Sequence, residues 1–84
     1  MASLEEQAVA FEAAVRELSR AYPPPAQPTT MTSYFPAIWS GQIKAHRRMV
    51  EAAHYGNISD ARFWCSKTRI PRDELEAVIA LIYG

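Results

Sequence analysis

Apolar side chains recur at helical steps in three separate stretches of the chain. Leu4, Ala8, Phe11, Val15, Leu18 and Tyr22 alternate steps of four and three, while Glu5, Glu12, Arg16 and Glu17 fall outside that seam. The spacing draws one narrow apolar stripe along a helix, and Ser3 followed by Glu6 supplies a capping box at its start. A first helix is predicted over 3–22. Ile43, Ala45, Met49, Val50, Ala52 and Ala53 occupy half of a second wheel, predicted over 38–55, and Lys44, Arg47, Arg48 and Glu51 occupy the other half. His46 falls in its apolar half and His54 at the margin. Leu75, Val78, Ile79 and Ile82 share a face of a last helix over 71–83, where Ala77, Ala80 and Leu81 widen the apolar surface until cover is expected on more than one side.

Local boundary signals sharpen this reading. Pro71 has a fixed φ and no N–H, which suits the first position of the last helix; Asp73 and Glu74 complement the unpaired N–H groups of its first turn, and Gly84 stands at its C-cap. Asn57 and Ser59 are both N-cap types, so a shorter helix is predicted over 59–67. Its inner face is Ile58, Ala61 and Cys65, with Trp64 at the edge. Phe63 projects to the other side, beside Arg62 and Lys67.

Prolines 23 to 25 end the first helix, and the stretch to Pro36 adds Pro28 and contains no glycine. In polyproline geometry such a segment advances about 3.1 Å per residue, so it can carry the first helix across the width of a small domain. A spacer is the preferred reading over a ligand for SH3- or WW-type grooves, because no flanking basic residue supports the latter. Tyr34, Phe35, Ile38 and Trp39 form an aromatic cluster expected to cap the core. The fold class is therefore all-α, a small bundle of about four helices. Its organisation is an amphipathic helix over 1–22, a proline-rich connector over 23–36 and a compact helical domain over 37–84.

Composition narrows the function classes. The 84 residues suffice for one core, and nine basic against nine acidic side chains give no net charge, which argues against a general electrostatic binder of nucleic acid or membrane. A single cysteine excludes an internal disulfide and suits a reducing compartment. With the acidic, polar start MASLEEQ and no apolar run of about 20 residues, the expectation is a cytoplasmic protein without membrane contact. The alanine and arginine usage fits a GC-rich bacterial or phage genome. His46, His54 and Cys65 are the only soft metal ligands, too few and too scattered for a site, so no metal or cofactor is expected. No phosphate loop, dinucleotide fingerprint or activated nucleophile is recognisable, and no catalytic residue is assigned.

Two classes of function remain. The segment WCSKTRIP, followed by Leu75, Val78, Leu81 and the terminal Gly84, resembles the close of Cro- and repressor-type helix-turn-helix domains. That resemblance implies DNA binding, with Arg62, Ser66, Lys67 and Arg69 facing the groove and Arg48 on a phosphate. The preferred class is a protein-binding module: an adaptor, assembly factor or inhibitor acting through helix surfaces. Its predicted contact residues are Phe63, Arg62, Lys67, Arg69 and Arg48, since aromatic and arginine side chains are the commonest interface anchors. The seam through Leu4, Phe11, Val15 and Leu18 is expected to dock within its own chain, with a homodimer through the first helix as the alternative.

Overall fold

The computed structural model describes residues 2–24 and 35–84, with side chains described from residue 41 onward in the second stretch. Four helices make up its regular structure: α1 (Leu4–Ala21), α2 (Phe35–His54), α3 (Ile58–Cys65) and α4 (Arg72–Tyr83). Most of the proline-rich connector, and the side chains of the predicted aromatic cluster at Tyr34, Phe35, Ile38 and Trp39, lie outside the described residues. α2 begins three residues earlier than its apolar pattern predicts. Pro36 is accommodated there because the N–H groups of a first helical turn have no intrahelical acceptor.

Each remaining boundary has a local cause. The Ser3 hydroxyl accepts from the Glu6 amide at 3.1 Å, which makes the cap, and donates to the Glu6 carboxylate at 3.2 Å, a contact to the hydroxyl in place of the Ser3 N–H that a full capping box uses. α2 closes in a Schellman turn, in which the Gly56 amide donates to the Ala53 carbonyl at 3.0 Å and the Asn57 amide to the Ala52 carbonyl at 2.8 Å. Gly56 takes φ +68° to allow it. Asn57 then caps α3 by accepting from the Asp60 amide at 3.1 Å, and α3 stops at Cys65, two residues short of expectation. Thr68 explains the early stop. Its hydroxyl donates to the Cys65 carbonyl at 2.7 Å and accepts from the Ile70 amide at 3.1 Å, which locks a turn and drives Ile70 inward. Pro71 is the N-cap of α4 rather than its first residue: with ψ 133° it is still extended, and its carbonyl accepts from Glu74 and Leu75.

α1 packs against α2 and α4, and α3 packs against the same two helices, so among the described residues the four form a ring around one core. Phe11 and Val15 from α1, Met49 and Ala53 from α2, Ala61 and Cys65 from α3, and Leu75 and Ile79 from α4 fill its centre. The seam of α1 thus docks within the chain, and Leu18 and Tyr22 pack at its edge. Leu4 departs from the seam expectation and is 81% exposed. The reason is geometric: Gly56, where α2 ends, stands beside Ala8, and Leu4 lies a full turn beyond it. α4 also differs from expectation, since it is covered on one side only and its Ala77, Ala80 and Leu81 face is exposed.

Substitution of Gly56 by Ala keeps ordinary contact distances to Ala8 and the Tyr83 hydroxyl but forces a Cβ into left-handed geometry. The expected loss is about 1–2 kcal/mol in urea denaturation, with Gly56→Asn less costly. An unchanged midpoint would remove the strained turn from this account.

Candidate functional site

α3 carries the residues on which both functional readings rest. Its inner edge, Ala61 and Cys65, is held in the core, which fixes the outward direction of Phe63. Phe63 is 53% exposed. Its ring meets Trp64 edge to face at 5.0 Å between centroids, and the Lys67 ammonium stands 5.4 Å from its centre, within cation–π range. Trp64 also closes one side of a groove of about 350 Å³ between α2 and α3, whose other walls include Lys44, Arg48 and Asp60. Arg48 approaches Glu51 at 3.6 Å in the same groove. Phe63, Lys67 and Arg48 are therefore linked through Trp64, and Arg69 is exposed in the turn after α3.

Arg62 stands differently. Its guanidinium grips the Glu76 carboxylate of α4 with Nε at 2.9 Å and Nη2 at 2.8 Å, and Arg72 approaches the same carboxylate at 3.4 Å. This pairing holds the Glu76 carboxyl below, and the Arg62 guanidinium above, their usual pKa values. Arg62 thus braces α3 on α4. Sequence spacing could not show this, because Glu76 lies 14 residues away.

Two histidines bridge α1 and α2. His54 Nδ1 lies 2.6 Å from the Glu12 carboxylate, which also accepts from Arg16 at 2.9 Å; together they pull the Glu12 carboxyl below its ordinary range, the His54 contact contributing most. His46 is buried, with Nδ1 2.9 Å from the Ser19 hydroxyl and Nε2 without a protein partner among the described residues. Both line an open groove of about 670 Å³, where Arg16, Arg20, Arg47 and Glu51 supply the remaining charges. The arrangement is a structural bridge. Cys65 is equally inward, its thiol directed at the Ile70 carbonyl and pushed up in pKa by burial, which disfavours the reactive thiolate. Among the described residues no three of His, Cys, Asp and Glu converge as metal ligands, and no helix is long and apolar enough to cross a membrane.

Among the described residues, the sequence reading gave the exposed Val9 and Tyr55 no role, put Leu4 in the seam and expected Leu81 to be covered. Val9 carried a signal, being a β-branched residue on the polar side of α1. No protein-family model matches the chain, and no curated protein or solved structure matches it either.

Burial holds the His46 pKa below its ordinary 6.5. The unfolded chain therefore takes up a proton that the fold refuses, and stability falls as pH drops through about 6.5. Glu12 acts lower: its depressed pKa contributes stability above its ordinary 4.5 that is lost as pH falls below. In urea midpoints measured from pH 8 to 3, His46→Asn should flatten the decline between 7 and 5 and leave the acid limb in place. Parallel profiles would show that His46 is not held neutral.

Proposed function

We propose that this chain is a small non-catalytic protein-binding module, an adaptor, assembly factor or inhibitor working in the cytoplasm, whose partner docks on the Phe63–Trp64 face. The observation that carries the reading is the half-exposed Phe63 ring, already oriented by Trp64 and Lys67. A stiff aromatic with few rotamers loses little entropy on binding, which is why such residues anchor interfaces. Lys44 and Arg48 line the groove beside Trp64 together with Glu51 and Asp60, whereas Lys67, over the Phe63 ring, and Arg69, exposed in the next turn, have no carboxylate partner among the described residues. Their charge favours an acidic partner surface, reached fastest at low salt. Arg62 supports the face from behind through Glu76 and is not counted among the anchors.

DNA binding is the competing proposal, since the same cations suit phosphates. It is the weaker one here: two of the four groups expected to face the groove already have partners, Arg62 on Glu76 and the Ser66 hydroxyl on the Phe63 carbonyl. A base reader needs those donors unoccupied.

Pull-down from the native cell, with affinity then measured against salt, separates the two. Phe63→Ala should weaken partner binding by about 2 kcal/mol or more, with a stability loss below about 1 kcal/mol because the ring is half in water. A DNA complex would instead lose affinity steeply with salt, and Lys67→Ala would flatten that slope. Loss of folding in Phe63→Ala, with binding merely tracking the folded fraction, would remove this face from consideration.

A further inference from the structure

Among the described residues, the exposed large apolar side chains are not spread evenly. Leu4, Val9 and Tyr55, at 81%, 70% and 76% exposure, gather where the start of α1 passes the end of α2, and neither capping nor the core uses any of them. Leu4, Val9 and Tyr55 line one trough of about 410 Å³, and a second of about 510 Å³ runs on along α1 from the shared residues Glu5 and Val9 past Ala10 and Ala13. The first lies between α1 and the end of α2 and the second on the outer side of α1 alone, so together they present an apolar strip through Ala8, Val9, Ala10 and Ala13 on which the apolar edge of a helix can lie. Tyr55 is oriented in advance: it meets His54 edge to face at 4.9 Å, and His54 is tied to Glu12.

Charge identifies the occupant. No lysine or arginine lines either trough, whereas Glu5 and Glu6 do. Among the described residues Glu5 has no cationic partner, and the only side chain donating to the Glu6 carboxylate is Ser3. A helix laid on this strip would thus meet an apolar floor and an anionic edge. We propose that the Leu4–Val9–Tyr55 face is a second docking site, which receives a cationic amphipathic helix of another protein. This site differs in sign from the basic Phe63 face and borders it at Tyr55, which also lines the groove beside Trp64.

The test uses the full chain, isotope-labelled for NMR, and a leucine–lysine helical peptide of roughly 18 residues, five turns long, with leucines on one face. Amide shifts are expected at residues 4–13 and 54–56 and not at 63–69. Leu4→Ser with Val9→Ser, both on the surface and verified as folded by circular dichroism, should raise Kd at least about tenfold. Glu5→Lys with Glu6→Lys should do the same, and Phe63→Ala should change nothing. A leucine–glutamate peptide should not bind. The proposal fails if shifts spread over all acidic residues, Asp73 and Glu74 included, or if the serine variants bind equally well. It also fails if dilution without peptide moves the same amides, because a second copy would then occupy the strip.

Discussion

The rings of Phe11 and Tyr83 meet at right angles, 5.6 Å between centroids, inside the ring of helices, and Val15 lies fully buried one turn further along α1. This contact joins the two ends of the chain. Burial of such side chains contributes about 1.5–3 kcal/mol each, a large share of the few kcal/mol by which a domain of this size is stable. The smaller tethers act on the same arrangement: Gln7 donates to the Ile82 carbonyl at 3.2 Å, and the Tyr22 hydroxyl to Glu74 at 3.0 Å. Without α1, the α2–α4 side of the core would open to water.

That constraint decides which surfaces are left for other molecules. The seam of α1 from Phe11 to Tyr22 packs on its own chain, while Leu4 at its start stays exposed. What stays outside is aromatic and basic on α3, aliphatic and tyrosine-bearing beside Glu5 and Glu6 at the start of α1, arginine-lined in the larger groove between α1 and α2, and apolar along Ala77, Ala80 and Leu81 of α4. A net charge of zero therefore conceals local clusters of either sign. The neutral total spoke against broad electrostatic binding, and it is compatible with two local, charge-selected contacts.

The all-α architecture was legible because its causes are local: helical steps of apolar residues, a cap at Ser3, and N-cap types at Asn57 and Ser59, of which the structure uses Asn57. The inward direction of Ala61 and Cys65, and hence the outward one of Phe63, followed from the same periodicity. Three-dimensional neighbours were not legible. Periodicity put Leu4 in the seam, yet whether a helix has anything beside its first turn depends on where another helix ends. Arg62 looked like a binding residue because its pairing with Glu76 crosses from α3 to α4. Leu81 looked like a covered residue for the converse reason: an apolar side chain announces a preference for burial but not that a neighbour exists.

The central claim, that α1 belongs to the same cooperative core as the other three helices, is tested most directly by native-state amide hydrogen exchange on the full chain. The account predicts that amides around Phe11 and Val15 open only with global unfolding, sharing one free energy with those of Met49, Ala53 and Leu75. Exchange of the α1 amides at a much lower free energy, while α2 and α4 stay protected, would contradict it.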